Sequence, residues 1–320
     1  MPELPVSVII CCYTDERLQD IREAVASVQQ QTRPPGEIIV AVDNNPALFE
    51  LLKGELGGQV RVVLNDTARG LSATRNGGIA AAQGDLVAFL DDDATAEADW
   101  LEKLLVHFES SEVCAVGGRA ELRWVRGRPS WFPEELDWVV GGSFTWIPQM
   151  TTEVANPHGH NMCFRREAFN VAGLFNEAMG RRGWGGQAGE EREFCLRLKE
   201  RLPQARIIYE PSARIQHKVP ARRGSWTYLL KRSFGEGSSK ACIGQSSRSA
   251  KSPVATESHY LNHLILDAIP SRLLRFWSPS AMAQVLATLV CIAATTVGYG
   301  AGRLRTKFSG VKFLRQSRNK

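Results

Sequence analysis

The chain has 320 residues, 43% of them apolar and 23% charged, with a formal net charge of +5. That is enough chain for one large α/β domain, alone or with an appendage, and the composition excludes disorder as the default state. The charge is uneven: Arg303–Lys320 holds seven Lys/Arg and no acid, whereas the first hundred residues lean acidic. A basic tail beside an apolar run suits phospholipid head groups better than nucleic acid, and no nucleic-acid partner is expected.

The predicted elements begin with Val6–Cys12, a short β-branched run that reads as a buried strand. Asp15–Gln31 follows with Leu18, Ile21, Val25 and Val28 at helical spacing. After Pro34-Pro35-Gly36, Glu37–Val42 reads as a second buried strand ending in Asp43. Ala47–Leu56 reads as a helix, Val60–Leu64 as a third strand, and Leu71–Ala82 as a small-residue helix. Leu86–Leu90 is a fourth strand, running into Asp91-Asp92-Asp93. Strand alternating with helix four times predicts a parallel, doubly wound, Rossmann-like sheet, whose ligands bind outside the carboxyl ends of the strands. Tyr13, Thr14, Asp43 and the three aspartates all fall at those ends.

From Arg119 to Gln149 the pattern changes to Trp124, Trp131, Phe132, Trp138, Phe144 and Trp146 among Gly and Pro, with three readings open: core, acceptor-binding wall or membrane-touching surface. Asn161–Phe164 and Arg206–Tyr209 are strand candidates. Arg166–Val171, Glu190–Arg201 and Trp226–Phe234 are helix candidates. Gly244–Val254 is Ser-rich and reads as a linker, and Leu261–Trp277 resembles an interfacial helix. Phe276–Gly302 contains no charged residue and is long enough to span a bilayer. The seven scattered cysteines show no CxxC or zinc spacing and read as reduced, mostly buried cytosolic thiols. Met-Pro-Glu-Leu-Pro opens without a basic or apolar leader region, so no signal peptide is expected.

Three adjacent carboxylates repel one another, and a hard divalent cation that also bridges phosphate oxygens would compensate them. The alternative is a solvated acidic turn. Ser7–Thr14 (SVIICCYT), Ile39–Asn44 (IVAVDN), Arg69–Gly77 (RGLSATRNG) and Gly84–Asp93 (GDLVAFLDDD) resemble, in order and spacing, the motifs of family 2 glycosyltransferases. The likeness extends from residue 6 to about residue 240. It implies a GT-A fold in which Tyr13 and Thr14 line the nucleoside pocket and Asp43 accepts a hydrogen bond from the base. Arg75 and Asn76 would lie by the base and diphosphate, although Arg75 also reads as a surface helix cation. Asp91 would face the ribose, Asp92 would shape the turn, and Asp93 would be the main ligand of Mn2+ or Mg2+.

In the second half, Gly189–Arg197 (GEEREFCLR) resembles the family's acidic segment at a helix start. Glu191 would be the base that deprotonates the acceptor, with Glu190 as the fallback; either also suits a helix first turn on dipole grounds alone. His217 would complete the metal shell, and Arg222, Arg223 and Arg232 would clamp the diphosphate. His158-Gly-His160-Asn161 has two histidines but no third zinc ligand nearby. His160 and Asn161 are expected on the sugar side. No QxxRW sequence occurs, so one addition per encounter is favoured.

The resemblance thus implies an inverting, metal-dependent transfer from a nucleotide sugar, a UDP-sugar for preference, to a glycan or polyprenyl-phosphate-linked acceptor. Trp226–Lys240 and the late apolar run are similar to those of membrane-associated members acting on polyprenyl-linked sugars. The expected organisation is a GT-A domain over 1–242, with a nucleotide-binding half at 1–118 and an acceptor-binding half at 119–242. A linker and amphipathic helix over 243–275, a membrane segment over 276–302 and a basic tail over 303–320 would follow. Residues 276–302 could span, re-enter or be buried. Since the positive-inside rule opposes a single span with a cytosolic catalytic domain, the expected location is the cytoplasmic face of the cell membrane. A nucleotidyltransferase has a similar sheet but carries a Gly-rich basic loop where this chain has Cys11–Arg17. A non-catalytic membrane scaffold is the third reading.

Overall fold

The computed structural model describes residues 4–143, 149–180, 188–243 and 254–308. Packing divides the chain into two units, one formed by residues 1–121 and 148–217, the other by 122–147 and 218–320.

The first unit is built on the alternation expected from the sequence. Strand β1 (Val6–Cys12) leads to α1 (Leu18–Gln29), β2 (Glu37–Asp43), α2 (Pro46–Leu56), β3 (Arg61–Asn65), α3 (Leu71–Ala81) and β4 (Leu86–Asp91). These four strands are parallel, in the order β3-β2-β1-β4. Along β1 the side chains alternate between two layers, as a pleated strand requires. Val8 and Ile10 pack with Ile21, Val25 and Val28 of α1, while Ile9 packs with Ile79 of α3 and with Phe164 and Phe194. Each such buried aliphatic side chain contributes about 1.5–3 kcal/mol.

Beyond β4 the sheet changes character. A short β5 (Ala94–Ala96) and helix α4 (Trp100–Leu105) precede a long β6 (Val113–Trp124) that runs out of the first unit, and α5 (Asp137–Val140) belongs to the second. Then come β7 (Thr152–Glu153), β8 (Asn161–Arg165), α6 (Arg166–Ala172), α7 (Glu190–Arg201) and β9 (Arg206–Val219). Strand β8 pairs antiparallel with both β4 and β6, and β5 and β7 pair antiparallel with β9, so the sheet is mixed. Antiparallel return dispenses with the crossover helix that each parallel step needs. The strand predicted over 206–209 continues to Val219, and β6 is a strand that the sequence reading does not include.

The second unit is helical. The helix predicted over Trp226–Phe234 continues to Ile243 as α8 (Trp226–Ile243), followed by α9 (Val254–His263). The helix expected over 261–277 is present as far as Leu273 and begins earlier: a wide π-type stretch at Leu264–Ala268 joins α9 to α10 (Ile269–Leu273) without a break in the helical backbone, and Pro270 follows that stretch. The long α11 (Pro279–Phe308) contains the apolar run. Trp131 stacks on Trp226 at 4.2 Å, and Trp124, Phe132 and Trp138 join the same core, which favours the packing reading of those aromatics. Phe144 and Trp146 lie outside the described residues, as do linker residues 244–253 and tail residues 309–320. All seven cysteines are free thiols, five of them buried.

Candidate active site

The carboxyl ends of β1, β2 and β4 converge as the alternation predicted. Tyr13 is exposed, its carbonyl accepts a hydrogen bond from Asn45 Nδ2 at 3.2 Å, and the Thr14 hydroxyl caps the next turn by accepting from the Glu16 N–H. Asp43 is half-buried and oriented by the Gly70 N–H, 3.0 Å from Oδ2, and by Asn65 Nδ2, 3.2 Å from Oδ1. Gly70 has a φ of +130°, a backbone state that glycine adopts without strain, and it presents its N–H to Asp43 while opening α3.

The acidic turn is held by two arginines. Arg17 Nη1 donates to Asp92 Oδ1 at 2.6 Å and lies 3.2 Å from Asp93 Oδ2. Arg75, on α3, is buried: Nη1 meets Glu190 Oε1 at 2.5 Å, Nη2 donates to the Gly159 carbonyl at 2.7 Å, and Asp91 Oδ1 is 3.6 Å away. The surface-cation reading of Arg75 is therefore replaced by a bracket that ties the β4 turn to the start of α7. Burial is the largest influence on the Asp92 carboxyl; Arg17 lowers it, Asp93 and Asp91 raise it, and it stands at about 7. Burial also pushes the neighbouring Cys11 thiol up to about 12, so Cys11 is no nucleophile.

His217, on β9, is brought in by register: it pairs with Ala94, directly after the turn. Its Nε2 is 3.2 Å from Asp93 Oδ1. One ligand atom each from Asp91, Asp93 and His217 lie within 4.8 Å of one another. Bonds of about 2.0–2.3 Å from oxygen and imidazole nitrogen fit one ion among three atoms so spaced. The charge balance also fits: Asp91, Asp93 and Glu190, with Asp92 as a fourth acid that burial leaves partly protonated near neutral pH, contact two guanidiniums, Arg17 and Arg75. Asp91, expected at the ribose, thus offers its carboxylate to the same cluster as Asp93. His160 continues the group, its ring 5.5 Å from that of His217 and 5.6 Å from that of His158.

Two residues expected on the ligand side have their side chains engaged within the fold. Asn161 is fully enclosed: Nδ2 donates to the carbonyls of Arg119 and Ala213, both at 3.0 Å, and Oδ1 accepts from Trp100 Nε1 at 2.8 Å. It ties strands together and has no face for a sugar. Asn76 exchanges hydrogen bonds with the backbone of Phe175, both at 3.0 Å, and reaches Glu177, so it pins a loop. The glutamate pair is resolved differently. Glu190 is buried in its ion pair with Arg75, while Glu191 is only half-buried at the α7 N-terminus. Of the arginines assigned to the diphosphate, all three belong to the second unit: Arg222 is exposed, Arg223 donates to the Val140 carbonyl at 3.3 Å, and Arg232 pairs with Glu236 at 3.3 Å. Arg17 was missed. Its signal was available, since three adjacent acids need a nearby cation whether or not a metal is present.

By fold this is a GT-A-type α/β protein. The solved structure of GalNAc-T7 with UDP, GalNAc and Mn2+ superposes with a TM-score of 0.53 at 16% identity, over 81% of this chain and 54% of that one, so the chain spans about half its length. The chain belongs to glycosyltransferase family 2: the family described as "Glycosyl transferase family 2" matches residues 7–172. Among its relatives, the glucosyl-dolichyl phosphate glucuronosyltransferase of Haloferax volcanii is 36% identical over 94% of this chain and 97% of its own. The succinoglycan biosynthesis protein ExoM of Rhizobium meliloti is 28% identical over 73% of each.

Proposed function

We propose that this glycosyltransferase is metal-dependent and inverting, and moves one sugar per encounter from a nucleoside diphosphate, a UDP-sugar for preference, to a lipid-linked or cell-surface glycan. The observation that carries the reading is the Asp91, Asp93 and His217 cluster at the carboxyl end of a parallel sheet. A bound Mn2+ or Mg2+ there would neutralise charge developing on the leaving diphosphate. Arg17 holds Asp92 and Asp93 in place, so that Asp93 presents its remaining lone pairs with Asp91 and His217. Arg75 spans Asp91 and Glu190, which fixes the start of α7 against the turn. Glu191, one residue along, accepts the proton of the acceptor hydroxyl as its oxygen attacks the anomeric carbon on the face opposite the diphosphate. Tyr13 and Asp43 receive the nucleoside. The relative named as a glucosyl-dolichyl phosphate glucuronosyltransferase supports a polyprenyl-phosphate-linked acceptor; the cytoplasmic face of the cell membrane is the side on which a cytosolic nucleotide sugar would be used.

The test is nucleoside diphosphate release by the full chain from a panel of nucleotide sugars, with and without Mn2+, using a polyprenyl-phosphate-linked sugar as acceptor. Metal-dependent transfer with inverted anomeric configuration supports the reading. Pyrophosphate release would assign a nucleotidyltransferase instead. Failure of every nucleotide sugar to turn over or to raise the melting temperature would leave a non-catalytic scaffold.

A further inference from the structure

Among the described residues, Pro279–Arg305 is long and apolar enough to cross a membrane. Its surroundings point elsewhere. We propose that α11 lies in the plane of the membrane surface without crossing it, sunk by its outer stripe into an anionic leaflet together with the Ile265–Trp277 segment. The inference deepens the membrane-facing part of the function proposed above.

One face of α11 is taken by α8. A Cβ on Gly237 would collide with the Thr295 carbonyl, one on Gly298 with the Phe234 carbonyl, and one on Gly302 with Ala241 and the Ser238 backbone. Ser233 Oγ reaches Cys291 Sγ at 3.3 Å. The pairs 233–291, 237–295 and 241–302 ascend together, so the two helices run parallel in close backbone contact. Over that same interval α8 carries Lys231, Arg232, Glu236 and Lys240, with Glu236 3.3 Å from Arg232 and 3.9 Å from Lys240. A spanning α11 would carry these four charges toward hydrocarbon depth, where ionised side chains are costly and rare. An in-plane α11 leaves them among head groups.

The opposite face supplies the contact. Leu286, Leu289 and Val297 are all half or more exposed and recur at helical spacing with no charge between them, and Leu304 continues the stripe between Arg303 and Arg305. In the segment before α11, Leu266, Leu274, Phe276 and Trp277 are 67–75% exposed, and Arg275 lies between Leu274 and Phe276. An exposed Phe-Trp pair beside arginine, next to a helix with one apolar face and a strongly basic tail, suits the head-group boundary of an anionic leaflet.

Two measurements test this on the full chain. Tags at the two ends, probed by protease on sealed membrane vesicles of each orientation, should be removed from the same side; removal from opposite sides would show a crossing and overturn the proposal. Flotation with vesicles of phosphatidylcholine containing phosphatidylglycerol should fall roughly tenfold or more in L289K/V297K. Wild-type protein that stays at the bottom of the gradient, or a double variant that floats as well as wild type, would also overturn it. Both positions are exposed, so the melting temperature should hold; the tag experiment needs no variant at all. Nucleotide-sugar hydrolysis without lipid reports the chemistry separately, so its failure would leave these results standing.

Discussion

Two carboxylate–histidine pairs involve β9, and they behave differently. Toward one end, Glu210 Oε2 lies 2.8 Å from His107 Nε2; toward the other, Asp93 Oδ1 lies 3.2 Å from His217 Nε2. Glu210 is one acid with four donors: His107, the Thr151 hydroxyl at 2.7 Å, the Ser212 hydroxyl at 2.6 Å and the Ser212 N–H at 3.0 Å. Its lone pairs are spent inside the fold. Asp93 sits in a run of three acids that the chain itself forces together, against arginines shared with a fourth. A histidine beside a carboxylate is therefore not by itself a metal site. The distinguishing property is a local surplus of acid that internal cations only partly offset.

The sharpest way to break that distinction is to remove one acid at each end. Asp93→Ala should lower kcat/KM by roughly 10³-fold or more and abolish the rise in melting temperature on adding Mn2+. The Mn2+ response of a Glu210 variant should match wild type. Retention of the response in Asp93→Ala would erase the contrast. The glutamates of α7 come next. Glu191→Gln should cost about 10²–10³ in kcat with little change in donor KM, as loss of a general base does. Glu190→Gln should act on the fold, destabilising by about 3–5 kcal/mol because Arg75 is left buried without its partner. Denaturant titrations beside steady-state kinetics separate the two; a kinetic loss confined to Glu190→Gln would reverse their roles.

The parallel half of the sheet was legible because β1, β2 and β4 are short, largely apolar runs, each ending beside residues of the candidate site. Glu191 and His217 were legible only through resemblance to a family, since one histidine and one first-turn acid carry no chemistry by themselves. The register of β9 against β5 is what brings His217 to the aspartates. Strand β6 was hidden by Gly117 and Gly118, which lower strand propensity. The fold requires glycine at 118, because a Cβ there would strike Asn161 and the Ala213 carbonyl. The backbone partners of Asn161 and Asn76 were hidden for a related reason: an asparagine reads alike whether it faces a ligand or a neighbouring backbone. Arg17 reads as a solvent-facing cation of an early turn, and its partner lies 75 positions away.

Arg17 gives a finer probe of the acid surplus. Arg17→Met should destabilise the metal-free protein by about 3 kcal/mol, since Asp92 loses its counter-ion in a buried position. If Arg17 serves as the internal cation of this site, Mn2+ should restore part of the loss, so its thermal shift becomes larger than in wild type. A residue that only packs would lower the melting temperature equally with and without metal. An unchanged Mn2+ shift in the variant would remove Arg17 from the site.

The smallest effect belongs to the saturated pair, and its signature is pH. Burial opposes ionisation of Glu210, but the Ser212, Thr151 and His107 donors outweigh it and hold the carboxyl at about 2, below its ordinary 4.5. A carboxyl whose folded value is depressed binds fewer protons folded than unfolded in that interval, so its stabilisation is present above about pH 4.5 and fades as pH falls toward about 2. Glu210→Gln should therefore cost about 2 kcal/mol at neutral pH, and the gap to wild type should narrow by about pH 3. Other acid-labile groups are common to both proteins and cancel in the difference. A gap that stayed constant with pH would mean that Glu210 is held by packing and not by its charge, and the contrast with Asp93 would then lie in burial alone.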